Sequence, residues 1–299
     1  VKQVNADALM LLTTILWGGT FVIVKSALVE LPPSVFVLYR FLIALVVGLF
    51  VWRKSLRYAT KTLVWRGFVL GAVFGTGFVL QTIGLVYTSV SSSAFITGTM
   101  VVFAPFVYWL VVRTRIRTLH LISVVVVLIG LWVFTEAEVN GFKLGDVLTL
   151  LGAIVWSVYL TYVDIWTKSE KENKHAMNFL VVMQFAVTVL LALIVLTFNQ
   201  EPFYGYNITS GVVYGLIYCS VFAAVLTTWL QTRFQQYTHP VRAAVIFSVE
   251  PLVASVVAFL TIGEIWNQRQ FFGALILIGV VVIPEIITIS TSKNVKIGN

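Results

Sequence analysis

Lys25, Arg40 and Glu250 stand inside long apolar runs of the chain. A charge within a bilayer costs a few kcal/mol or more, so such groups are retained where they meet a partner, a cavity or water. Two cations can hold a carboxylate, and a guanidinium can do so through two parallel hydrogen bonds. Glu250 precedes Pro251. A proline within a helix leaves one carbonyl unbonded, and a carboxyl group beside it can take a proton, a cation or a substrate ammonium. Trp17 precedes Gly18-Gly19, where the missing side chains let a ligand approach the backbone. Trp156 and Tyr159 are the aromatic counterparts in the second half. These six residues, Trp17, Lys25, Arg40, Trp156, Tyr159 and Glu250, are the expected lining of a translocation site.

Each has a plainer alternative. Lys25 is about a turn and a half from a helix end and can snorkel to the headgroups, or pair with Glu30. Arg40 can bridge to Glu250 or to unbonded helix carbonyls, and Glu250 to Arg40, Arg242 or a backbone donor. Membrane tryptophans often serve as packing or as interface anchors.

Catalytic signatures are missing from the sequence. It has no HExxH, no Gly-x-Ser-x-Gly elbow, no aspartate cluster and no phosphate-binding GxxxxGK[ST] run. Cys219 is the single cysteine, so neither an internal disulfide nor a multi-cysteine metal site can form. His120, His175 and His239 lack metal-ligand spacing. No metal or cofactor is expected, and the chain is not expected to be an enzyme.

The elements that carry these residues must be membrane helices. Of 299 residues, 59% are hydrophobic and 11% charged, too few charges to cover a surface that faces water. The mean hydropathy is +0.97. Apolar runs of spanning length fall at about 7–29, 34–52, 64–86, 92–112, 119–135, 146–166, 176–197, 211–232, 241–262 and 270–290. Period-2 alternation of the kind a β-barrel shows is absent, so the expectation is an all-α integral membrane protein with ten transmembrane helices. The first run is expected to be retained as a helix and not cleaved.

Net charge is +8, yet the basic residues sit in short loops without a basic arm, which argues against nucleic acid. They set orientation instead. With the N-terminus inside, the cytoplasmic segments hold Lys2, Arg53, Lys54, Arg57, Lys61, Arg66, Arg113, Arg115, Arg117, Lys168, Lys171, Lys174, Arg233, Lys293 and Lys296. The outer loops hold Lys143 and Arg269. Both termini are therefore expected in the cytoplasm, with the chain in a bacterial-type plasma (inner) membrane.

The sequence repeats itself. Trp17 corresponds to Trp156, Gln81 to Gln231, Tyr87-Thr88 to Tyr237-Thr238, Pro105 to Pro251, and Leu128-Ile129-Gly130 to Leu277-Ile278-Gly279. The halves divide at about residues 1–140 and 141–299. Each holds five helices, so the second enters the membrane from the opposite side: two inverted five-helix repeats, an architecture of many secondary transporters. In this register Lys25 matches Asp164 and Arg40 matches Gln184. The glycines at 67, 71 and 75 are expected to let helices approach closely.

Several stretches are similar to one known family: WGGTFVIVK at 17–25, YRFLIA at 39–44, QTIGLVYTSVSSSAFI at 81–96, GDVLTLLGAIVWSVYLTYVD at 145–164, LQTRFQQYTHPVRAAVIFSVEPLVASVVAFLTIGE at 230–264 and GALILIGVVVI at 273–283. The chain resembles the EamA family of the drug/metabolite transporter superfamily over nearly its whole length. The resemblance implies a ten-helix, two-repeat carrier of small metabolites, and similar members are often exporters of amino acids or related compounds. One departure is that RTRIRT at 113–118 is basic where the second half has Gly263-Glu264.

The expected function is secondary active export of a small metabolite, best matched by amino acids or related organic compounds, by alternating access. Its partners are that small-molecule substrate, the lipid bilayer, and a coupling proton or an exchanged substrate. The alternatives are a lipid-modifying membrane enzyme and a channel-like or accessory subunit.

Overall fold

The computed structural model describes residues 3–113, 118–134, 143–170, 173–237, 246–247 and 249–279. Among them every regular element is helical. Seven helices are long and apolar enough to cross a membrane: α1 (Ala6–Ala27), α2 (Pro33–Val51), α3 (Lys61–Val86), α4 (Val90–Val112), α6 (Leu144–Ser169), α7 (Lys174–Phe198) and α8 (Ser210–Tyr237). Shorter helices occupy the other apolar runs: α5 (Thr118–Phe134), α9 (Glu250–Ile262) and α10 (268–279). α5 has 17 residues, below the roughly 20 that span a hydrocarbon core. α9 and α10 border residues outside the described set, among them 280–290, His239 and Arg242.

Local chemistry explains where the helices begin. Thr60, Ser89 and Asn173 cap α3, α4 and α7, their side chains accepting from Leu63 N, Ser92 N and Ala176 N. Such caps satisfy N–H groups that a helix cannot bond internally. Glu264 adds a carboxylate at the start of α4, accepting from Ser91 N at 3.0 Å. The outer faces are apolar. Leu42, Val46 and Phe50 form a stripe on α2, about one residue per turn, with Phe50 77% exposed. Such a stripe suits acyl chains and would be costly in water.

Glycines set how closely the helices pack. Gly67, Gly71 and Gly75 place α3 against α7; a Cβ at Gly71 would lie 2.6 Å from the Val187 Cβ. Farther along α3, Gly84 meets α6, and a Cβ on Gly145 would come within 2.4 Å of the Gly84 carbonyl oxygen. α3 thus packs between α6 and α7, while α1 packs on α8 and α9, and α2 on α7 and α8. α4 packs on α9, where a Cβ on Gly98 would lie 2.8 Å from Pro251. α5 meets α10 through Gly130, against Ile276 and Leu277. An edge-on aromatic cluster of Phe41, Phe74, Phe78 and Trp156 locks α2, α3 and α6 together, with centroid separations between 4.8 and 5.5 Å.

Candidate functional site

Three helices depart from regular α geometry around one place, and a fourth begins there. α1 is interrupted between Gly18 and Thr20, and α4 at Thr99. α8 widens into a π-helix over Tyr218–Leu226. Pro251 stands in the first turn of α9, where its missing N–H has no intrahelical partner to lose. The sequence expectation put Glu250-Pro251 within a helix over 241–262, of which residues 241–245 and 248 lie outside the described set; residues 246–247 are helical, residue 249 forms a turn and α9 starts at Glu250. Gly18 and Gly98 bring the breaks together: a Cβ on Gly18 would lie 2.7 Å from Val253 on α9. Interrupted helices and π-bulges are tolerated in a membrane where they line a cavity, and both recur at functional sites.

The breaks enclose a cavity lined by Trp17, Thr20 and Phe21 of α1, Arg40 of α2, and Phe78 and Gln81 of α3. Thr97 and Met100 of α4, Trp156 and Leu160 of α6, Gln231 of α8 and Glu250 of α9 complete the wall. The open interior is about 30 Å³, room for two or three water molecules. Ligand pockets run to roughly 300 Å³ or more, so in this conformation the space is smaller than a metabolite needs. Among the described residues, Arg40 and Glu250 are the ionisable groups of the lining.

Arg40 is 2% exposed and lies under α8. Its Nε donates to Cys219 O at 3.1 Å and its Nη2 to Ala223 O at 3.2 Å, both in the π segment. Its guanidinium carbon stands 4.5 Å from the Phe78 ring centre, a cation–π contact. Trp17 reaches the same turn, its Nε1 donating to Ala223 O at 3.2 Å and Thr227 Oγ1 at 2.9 Å. A carbonyl has two lone pairs, so Ala223 can accept from both side chains. α1 and α2 are thus both tied to the widened part of α8.

Of the six expected residues, Trp17, Arg40, Trp156 and Glu250 line the cavity, whereas Lys25 and Tyr159 do not. The Lys25 ammonium sits on the end of α3, donating to Leu85 O at 2.6 Å, Val86 O at 3.2 Å and Thr88 O at 2.9 Å. A cation there completes carbonyls that have no intrahelical donor and opposes the negative end of the helix dipole. Glu30, considered as its partner, accepts instead from the N and Oγ1 of Thr209, both at 2.8 Å. Tyr159 is fully buried behind Trp156, its hydroxyl donating to Gln184 Oε1 at 2.8 Å. The Glu250 carboxylate has neither a hydrogen bond nor a salt bridge among the described residues, although Glu250 is only 5% exposed. Among the described residues no cluster of metal-ligating side chains occurs.

The EamA-like transporter family model matches residues 4–135 and again 143–283. The chain belongs to the EamA-like transporter family. It is similar to two proteins of Archaeoglobus fulgidus, each named as an uncharacterized transporter. One is 30% identical over 284 residues, 95% of this chain and 87% of the relative. The other is 26% identical over 281 residues, 89% and 91% of the two chains. An uncharacterized transporter of Clostridium kluyveri is 27% identical over 69% of this chain and 66% of its own. A solved crystal structure shares the fold, with a TM-score of 0.64 at 15% identity over 96% of this chain and 98% of the other.

In this EamA-like transporter the cavity also contains residues that sequence reasoning used only as repeat markers or passed over. Gln81 and Gln231, matched between the halves, face the same space. Gln81 donates to Thr97 Oγ1 at 3.0 Å. Paired carboxamides at equivalent points of two apolar helices were the available signal. Thr20, Phe21, Thr97, Met100 and Leu160 carried none, because such residues are ordinary in membrane helices.

Proposed function

We propose that this membrane transporter of the EamA-like family is a secondary active carrier that exports amino acids or related small metabolites. The observation that carries the proposal is the convergence on one partly polar cavity of two interrupted helices, a π-helical segment and the proline-bearing start of α9. Regular helices leave no backbone or side-chain groups for a substrate in hydrocarbon, whereas breaks at matched depth create such a place. The family and the named relatives point to a transporter and not an enzyme.

Alternating access follows from two inverted five-helix repeats, residues 1–140 and 141–299, making ten membrane helices. Supporting this, one family model matches both halves in turn. Helices at equivalent positions also pack on each other: α2 on α7, α4 on α9 and α5 on α10. Exchanging the conformations of the two halves would open the cavity to the opposite side. In this reading both termini lie in the cytoplasm and the chain in a plasma membrane; the excess of basic residues in the expected inner loops supports the orientation.

Within the cavity Glu250 holds the substrate ammonium, or a coupling proton when the substrate has left. Trp17 and Trp156 form aromatic walls, with Tyr159 holding Trp156 from behind. Arg40 supplies positive charge for a substrate carboxylate while fixing α8, and Lys25 keeps the end of α3 in place beside α1. Energy comes from a proton gradient or from substrate exchange, since no nucleotide-binding run is encoded.

Counterflow tests this function. Proteoliposomes loaded with a mixture of the common L-amino acids are diluted into trace labelled members of the set. A carrier should accumulate at least one label transiently above equilibrium. Uptake that rises only to equilibrium for every member would overturn carrier-type exchange of amino acids.

A further inference from the structure

Gln231 has no solvent exposure, yet both polar atoms of its side chain, Oε1 and Nε2, lack a hydrogen-bond partner among the described residues. It lines the central cavity together with Glu250. A buried carboxamide normally finds partners, and leaving one unbonded is destabilising. Gln81, its match in the first half, is satisfied through Thr97. Two cavity groups therefore stand with unused capacity: a carboxylate that accepts, and a carboxamide that both accepts and donates.

We infer that Gln231 is a substrate-recognition residue, reading with Glu250 the two charged ends of an α-amino acid. The ammonium has three donors and needs acceptors, which Glu250 and the Gln231 Oε1 provide. The carboxylate needs donors, and the Gln231 Nε2 provides one in the cavity that Arg40 also lines. A carboxamide suits this position because an α-amino acid holds its donor and acceptor groups on one carbon. A second carboxylate would repel the substrate's own, and a hydrocarbon side chain would leave both ends of the substrate unbonded. Phe78, Trp17 and Phe21 supply apolar surface for the remainder of the ligand.

This subsite presupposes the amino-acid substrate proposed above. Its particular consequence is that stability and recognition should separate at Gln231. A structural glutamine destabilises the fold when replaced by leucine. An unpaired one does not, because leucine of similar volume removes two unsatisfied polar atoms.

The test compares wild type with Gln231→Leu and with Gln231→Met. Thermal unfolding of purified protein is measured alone and with each common L-amino acid, and then with the matching primary amine and 2-oxo acid. Wild type should be stabilised by at least one amino acid and much less by analogues that lack either charged group. The variants should keep or raise the unliganded melting temperature while affinity falls about 10- to 100-fold, the loss expected for hydrogen bonds to charged groups. Wild-type affinity in both variants would overturn the role of Gln231 and leave the carrier function standing. A marked drop in unliganded stability in both would assign Gln231 to the scaffold. Failure of every amino acid to stabilise wild type would instead remove the amino-acid substrate itself.

Discussion

Glu250→Gln should lower amino-acid exchange by on the order of 100-fold, the scale expected when one member of a desolvated charge pair is removed. The carboxylate lines the cavity and has no bonded partner among the described residues. Its charge is available to the ligand, and amidation removes that charge while preserving shape. The fold should tolerate the change. Replacing an uncompensated buried carboxylate by a neutral amide relieves desolvation, so the melting temperature should hold or rise. Among the described residues, Glu250 and Arg40 are the ionisable lining groups, and arginine stays protonated throughout the accessible range. Exchange by the variant should accordingly lose the dependence on pH that a titrating carboxyl gives. Exchange assays across pH with thermal unfolding in parallel provide the check. Normal rates with an unchanged pH profile would make Glu250 a structural residue.

Arg40→Gln should act differently, lowering stability by about 2–4 kcal/mol because it removes two charge-assisted bonds to carbonyls. The bonds are those from Nε to Cys219 O and from Nη2 to Ala223 O, with stacking on Phe78 lost as well. Glutamine is too short to reach both carbonyls, so the π segment of α8 would lose its tie to α2. Transport of amino acids should fall further than that of their amides, which lack the carboxylate, and the melting temperature should drop by several degrees. Thermal unfolding combined with uptake of amino acids and their amides gives the measurement. Selective loss of carboxylate-bearing substrates at unchanged stability would make Arg40 a binding residue alone.

Helix positions were legible because apolar runs of membrane length, interrupted by basic loops, admit few other structures. The seven long helices begin and end within about five residues of the expected runs, as with 34–52 against Pro33–Val51, whereas the expected 241–262 and 270–290 extend outside the described residues. The site was harder to read. Arg40 and Glu250 were visible as charges in apolar surroundings, and Trp17 and Trp156 as matched aromatics. Lys25 looked alike in sequence, but it lies one helix end away and caps α3, which depends on where Leu85 and Thr88 fall in space. Tyr159 stands three residues beyond Trp156, close to one turn along α6, and still faces α7 through Gln184. The π-helix at Tyr218–Leu226 has no sequence marker at all. It arises where α8 meets the side chains of α1 and α2, so tertiary contact determines it.

The central claim is that one cavity opens in turn to each side of the membrane. Thr20 lines it and lies within a membrane helix, and Cys219 is buried, so Thr20→Cys supplies a reporter thiol. Its reaction with a membrane-impermeant thiol reagent is measured on right-side-out and on inverted vesicles, with and without the L-amino acid that gives counterflow. Labelling is expected from both faces, slowed from each by the bound amino acid. Labelling confined to one face, whether or not amino acid is present, would contradict alternating access through this site.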